Sequence, residues 1–488
     1  MLNAKVIVLL KSFTKKEIRK FEEFLESPYH NKNSGLLILF RFLKNYYPLF
    51  NHKELTKEKI FNTLMSGKKN TNKFNDAVLR NIFSDLLYSC TDFLAYEGMK
   101  KDKFLYNEKL LSELTLKKSR SLFDKYVKVT ESFLAAEGVN GEQYYYNLSA
   151  LEELKLSFSQ YSDDLKLYKR DHIKLSADYI SYYYIIKVIK HFNYFAYQNQ
   201  FNSGQRKILS EMILSAVRPD ELLNYAKKIS QKDFLILNVY LKMYGSIKDV
   251  SDDGIYFEFR NSLEKNLKLF SAPELYGLYT IAANICVQKI ELRKEYFIKE
   301  CFEIYKIMIE KKLPAEIPGY LPLTFFSAVI NTGISCGELP ELEKLIPLLA
   351  EKLNPDYSSI AADYYSALIY FHRKEFHRSL EIAARVDTDF INFKYLIKIL
   401  IIKCHYELKN YEQIIYICDS FRHFLGKNKY VSEIYRNEFR KFITVTEQLV
   451  KYNFKKSGDT LFKIKKLIEK SNSPGKKWLT EKYNELIN

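Results

Sequence analysis

Glycine and proline are scarce in this chain of 488 residues, at 15 and 11. A β-rich chain of that length needs many more of both for its tight turns, so long helices with short connections are expected instead. No two cysteines stand in C-x-x-C spacing; Cys90, Cys286, Cys301, Cys336, Cys404 and Cys418 are scattered, mostly through apolar helical stretches. They read as small reduced core residues, which excludes a disulfide framework. Long hydrophobic runs are missing too. The opening has only a five-residue apolar run at 6–10 and no small-residue cleavage site, too short for a signal segment. The greasiest stretch, 179–190, is broken by lysines, short of the roughly 18 apolar residues of a membrane span. The expectation is a soluble cytoplasmic protein.

Arginine is the last shortage: of 76 basic residues only 15 are arginine and 61 are lysine, for a formal charge of +17. Arginine is the side chain that grips phosphates and bases bidentately, so the charge points first to a solvated basic face and second to a polyanion site. The abundance of Ile, Asn, Tyr and Phe, residues of AT-rich codons, also offers codon bias as a source of lysine. The densest surplus lies at 441–488, with 11 lysines against 5 acids.

What is present is helical periodicity. Thr14 and Glu17 form a capping box ahead of an apolar stripe at Ile18, Phe21, Phe24 and Leu25, and Ser27-Pro28 stops that helix. A second helix runs from about Leu36 to Tyr47, Thr56 caps a third, and a fourth continues to about Glu97, where Gly98 breaks the pattern. Breaks then come at 137–143, 201–205 and 218–221, among tyrosines crowded at 144–146, 179 and 182–184. These tyrosines suit packing between helices better than base stacking. The segment 245–254 looks like a joint. The expected organisation is an N-terminal helical domain (1–100), a long-helix middle region (101–245), helical repeats (246–440) and a basic helical cap carrying Trp478 (441–488).

The repeats are clearest in 374–386 and 409–421. Each is a helix that reopens on an aromatic after a short polar break, Phe376 and Tyr411, 35 residues apart. Lys374/Lys409, Leu380/Ile415, Ile382/Ile417 and the small pair Ala383/Cys418 also correspond, and Phe297 and Leu339 extend the series at looser spacings of 42 and 37. The aromatic two residues past the break and the small residue seven further on resemble a degenerate tetratricopeptide repeat over about 290–425. The stretch 302–339 is similar to a pentatricopeptide repeat, the RNA-reading relative. The patterns SPYHNKN, LTKEKIF and LRNIFSDLL, with SPGKKWLTEK near the end, resemble an uncharacterised bacterial family of large helical proteins, a likeness that implies no activity.

No catalytic constellation emerges. Gly333-Ile-Ser335-Cys-Gly337 fits the nucleophile-elbow spacing but follows a helical segment without a strand, and reads as an inter-helix turn. Ser66-Gly67-Lys68 lacks the earlier glycine of a phosphate loop, and Asp252-Asp253-Gly254 lacks the alternating ligands of a calcium loop. His372 and His377, five apart, do not share a helix face. The acid pairs Glu22-Glu23 and Glu152-Glu153 read as solvated faces.

The sequence therefore predicts an all-α protein: an N-terminal helical bundle followed by a right-handed α-solenoid of helix-turn-helix repeats. No residue is assigned as catalytic, cofactor-binding or metal-ligating, and no cofactor is expected. The expected function is a non-enzymatic adaptor or scaffold that binds a protein partner in its concave groove. The alternative is RNA or single-stranded nucleic-acid binding by a basic, tyrosine-rich surface. An enzyme built from distant residues ranks third.

Overall fold

The computed structural model describes residues 4–65, 74–161, 170–199, 209–316, 319–386, 388, 390–427, 433–473 and 475–487. Among them every regular element is helical, and the pairing outside helices is one isolated parallel bridge, Val139 with Phe270. The chain divides into two compact units, 1–137 with 142–184 and 138–141 with 185–488. The Ser66-Gly67-Lys68 motif and the break at 201–205 lie outside the described residues.

The first unit opens with α1 (Lys5–Lys11), α2 (Lys15–Glu26), α3 (Ser34–Lys44) and α4 (Lys57–Met65), packed with α5 (Asp76–Lys101). The capping box forms as its spacing predicts: the Glu17 amide donates to Thr14 Oγ1 (3.2 Å) and the Thr14 amide donates to Glu17 Oε2 (2.9 Å). The stripe it launches is buried against Leu36, Leu39, Phe40 and Leu43 of α3 and Leu86, Cys90 and Phe93 of α5. Phe21 meets Phe40 edge to face at 4.9 Å, the quadrupole-favoured geometry. Gly98 does not break α5, which runs on to Lys101; the cost of one helical glycine, about 1 kcal/mol, is too small to stop a helix held by its apolar face.

The unit continues through α6 (Lys103–Leu116), α7 (Arg120–Glu137), α8 (Gly141–Tyr161) and the first half of α9 (Arg170–Asn199). The tyrosines divide by helix face. Tyr145 and Tyr182 are buried and meet edge to face at 5.3 Å, whereas Tyr146 and Tyr184 are exposed. Glu152 corrects the expectation of a solvated acid pair. It is buried and accepts from Lys155 Nζ at 2.6 Å, with His172 Nδ1 at 2.5 Å, because α9 covers its face of α8.

The second unit takes the rest of α9 and α10 (Leu209–Ala216), α11 (Pro219–Ile229), α12 (Gln231–Lys248), α13 (Asp253–Lys265) and α14 (Ala272–Glu291). Next come α15 (Phe297–Glu310), α16 (Leu323–Cys336), α17 (Leu339–Ala350), α18 (Pro355–His372), α19 (Phe376–Arg385), α20 (Ile391–Glu407) and α21 (Tyr411–Lys427). It ends in α22 (Glu433–Phe454), α23 (Gly458–Glu469) and α24 (Lys476–Ile487). From α14 to α22 each helix packs on the next, and α16 also touches α18, as α18 touches α20.

The four positions aligned by sequence, Phe297, Leu339, Phe376 and Tyr411, are the first residues of α15, α17, α19 and α21. The helix before each closes in the same way. Arg293, Gly337, Lys374 and Lys409 adopt left-handed φ of 65°, 79°, 64° and 61°. In each case the following amide reaches back five residues, as from Glu375 to the Tyr370 carbonyl (2.9 Å) and from Asn410 to the His405 carbonyl (2.9 Å). This double closure satisfies carbonyls that the helix end leaves unpaired. Glycine is the residue that tolerates it, and lysine holds it at a cost of roughly 1–2 kcal/mol. Lys409→Gly is therefore expected to stabilise the unit by about 1 kcal/mol, the residue losing strain but gaining freedom when unfolded. The emission of Trp478, the chain's sole tryptophan, reports the urea midpoint, which should rise. A lowered midpoint would contradict the strain.

The segment 245–254 lies inside the second unit, covering the end of α12, the turn at 249–252 and the start of α13, and the turn is pinned. Lys289 of α14, fully buried, donates to the carbonyls of Val250 (2.7 Å) and Asp252 (2.8 Å) and to Asp253 Oδ1 (2.7 Å). Its ammonium also faces the Phe297 ring at 5.0 Å. Asp252 caps α13 by accepting from the Ile255 amide (3.1 Å), so the aspartates that resembled a calcium loop have structural employment.

Candidate functional site

The residues suggested by motif do not converge. Gly333, Ser335 and Cys336 occupy the last turn of α16, and Gly337 is its left-handed closing residue, so the nucleophile-like serine sits inside a helix end rather than in the turn that follows. Ser335 Oγ donates to the Asn331 carbonyl (3.0 Å). Gly333 has a packing reason: a Cβ there would strike the side chains of Leu342 and Phe302. Among the described residues no group of three His, Cys, Asp or Glu side chains is placed to hold a metal ion. The cysteines are free thiols, all buried except the partly exposed Cys336. No helix among the described residues is long and apolar enough to cross a membrane.

A different set does converge, in a cavity of about 900 Å³ within the second unit. Helical spacing builds each wall. Tyr364, Leu368 and Phe371 come from one face of α18; Leu396, Lys403 and Glu407 come from α20; and Trp478, Glu481, Lys482 and Glu485 come from α24. Asn331, Ile334 and Ser335 of α16 supply another side, and Lys374 and Phe376 the α18–α19 corner. Gly475 lets the chain enter α24 across the face of Phe442, where any side chain would collide. The buried Trp478 ring then packs on Tyr406 at 5.2 Å and on Phe442 at 6.1 Å.

The charges in this cavity are unequally satisfied. Glu407 accepts from Trp478 Nε1 (2.8 Å) and from Lys482 Nζ (2.9 Å), and Lys482 also donates to Glu485 (2.8 Å). Lys403 has no hydrogen-bond or ion-pair partner among the described residues. Its ammonium lies 5.8 Å from the Trp478 ring and 6.0 Å from the Phe371 ring. Burial pushes its amine down to about 8, with the more distant carboxylates of Glu481 and Glu407 opposing the shift. His372, at the cavity, is held below the usual imidazole range by the surrounding protein and by the ammonium groups of Lys403 and Lys477. Neutral His372 suits a position beside cations. The sequence set His372 aside as a metal ligand because His377 does not share its helix face, and the structure places it among cations.

Lys403 went unnoticed in sequence because it is one of 61 lysines. The available signal was its setting: it interrupts the apolar run of Ile399, Leu400, Ile402 and Cys404, on a helix with buried residues all around it.

No family model matches this chain, and neither a curated protein nor a solved structure matches it.

Proposed function

We propose that the second unit is a right-handed α-solenoid of degenerate tetratricopeptide-like helix pairs, and that the chain is a non-enzymatic cytoplasmic adaptor. The face shared by α16, α18 and α20 would receive an extended segment or a helix of a protein partner. The observation that carries this reading is the recurrence of one helix closure at 293, 337, 374 and 409, spaced by 44, 37 and 35 residues. Each closure is followed by a helix opening on an aligned apolar residue, and α16, α18 and α20 touch in series. A stack of such pairs buries a continuous core and leaves one run of alternate helices for recognition.

The nucleic-acid reading keeps one observation in its favour. Lys463, Lys465, Lys466 and Lys470 of α23 and its C-terminus are exposed, as is the ring of Phe462 on the same helix. Against it, Tyr145 and Tyr182 are buried and unavailable for stacking.

A photo-crosslinking side chain at exposed Ser335, beside the α18 face, and another at exposed Tyr416 on α21 separate the two. In cells, Ser335 should yield adducts that a protease removes and a nuclease does not, at several-fold higher yield than Tyr416. Nuclease-sensitive adducts, or equal yields from both positions, would overturn the adaptor reading.

A further inference from the structure

The cavity between α18, α20 and α24 has features that a partner-binding face does not require. Its volume of about 900 Å³ falls in the range of small-molecule sites, roughly 300–1,000 Å³. Its walls are aromatic at Tyr364, Tyr365, Phe371 and Trp478. The two carboxylates nearest the tryptophan edge are engaged, Glu407 by the indole N–H and Lys482, and Glu485 by Lys482. The ammonium of Lys403, near the rings of Phe371 and Trp478, is hydrogen-bonded to none of these carboxylates.

We infer that this cavity binds a small organic carboxylate on a flat apolar body, with Lys403 as its charge partner and the rings of Phe371 and Trp478 against its body. The chemistry narrows in two steps. Four lysines (Lys374, Lys403, Lys477 and Lys482) line the cavity against three glutamates (Glu407, Glu481 and Glu485), a positive excess that disfavours cationic ligands. Among the described residues lining the cavity there is no arginine, so the forked donor that favours phosphate is missing there and compact ammonium groups face the ligand. A monoanionic carboxylate neutralises one such ammonium, and the two rings near it favour a planar apolar group beside it. The inference stands independently of the adaptor reading, since a ligand site here needs no protein partner.

Trp478 is the only tryptophan and lines this cavity, so a change in its emission on ligand addition reports there. The full chain is titrated with phenylacetate and, separately, with its uncharged isostere phenylacetamide. Phenylacetate is expected to change the emission saturably and to bind about tenfold or more tightly than the amide, the discrimination a charge-assisted hydrogen bond provides. In Lys403→Met that preference should fall to about onefold, with helical circular dichroism unchanged, and Lys403→Arg should restore part of it. Equal affinity for acid and amide, a preference that survives Lys403→Met, or no saturable change with either compound would overturn the inference. An acetylated Phe-Asp peptide that binds in a Lys403-dependent way where phenylacetate does not would also overturn it, assigning the cavity to a partner's side chains.

Discussion

Lys289→Met is expected to destabilise the second unit by about 2–3 kcal/mol, the cost of removing a fully buried ammonium from the partly exposed carboxylate of Asp253 and from two backbone carbonyls. Methionine reproduces the lysine stem, so little cavity forms and the loss comes from polar groups. The carbonyls of Val250 and Asp252 lose the donor that closes the α12–α13 turn. Asp253 keeps Lys294 Nζ (2.8 Å) and the Tyr296 hydroxyl but loses its most buried partner. The aspartate is held well below the usual carboxylate range despite the opposing effect of burial, because these donors converge on it. The urea midpoint read from Trp478 should fall, and hydrogen exchange should quicken first at the start of α13. A midpoint shift worth less than about 1 kcal/mol would show that water replaces the ammonium and that the turn is not held by it.

Legibility in the sequence followed the range of the interactions involved. The capping box of Thr14 and Glu17 is local, three residues long, and forms as read. The alignment of Phe376 with Tyr411 also succeeds, because the left-handed closures at Lys374 and Lys409 recur with the repeat and leave a polar break in the pattern. Gly98 misled because local propensity was set against the long apolar face of α5, and the face won. Glu152 misled because acids among lysines look solvated until another helix, here α9 with His172, covers them. The cavity could not be read at all. Its walls come from segments that begin near 331 and end near 485, and what distinguishes Lys403 is the anion it lacks, which no local pattern records.

The same substitution at Lys403 is expected to have the opposite sign to that at Lys289: Lys403→Met should stabilise the second unit by about 2–3 kcal/mol at pH 7. The folded state holds this amine at about 8, below the roughly 10.4 of an unfolded lysine, so the unfolded chain binds the proton more readily. Below pH 8 both states are charged and the folded protein bears the full cost of a desolvated ammonium. Between pH 8 and about 10.4 that cost is relieved as the folded amine loses its proton first, so the wild-type chain gains stability with rising pH relative to the variant. The advantage of Lys403→Met should therefore be complete at pH 7, shrink above pH 8 and be nearly gone by about pH 10.5, with urea midpoints followed by both Trp478 emission and circular dichroism. Coincident midpoints at pH 7, or a gap that does not narrow on going to pH 10, would mean that the ammonium is hydrated and carries no such cost. Natural chains keep locally unfavourable choices mainly where function requires them. Lys289 is a fully buried lysine whose surroundings answer every donor it has, whereas Lys403 is partly buried and its surroundings give its ammonium no hydrogen-bond partner. A carboxylate that reverses the expected stability difference, by stabilising the wild-type chain and not the methionine variant, would tie the two observations to one site.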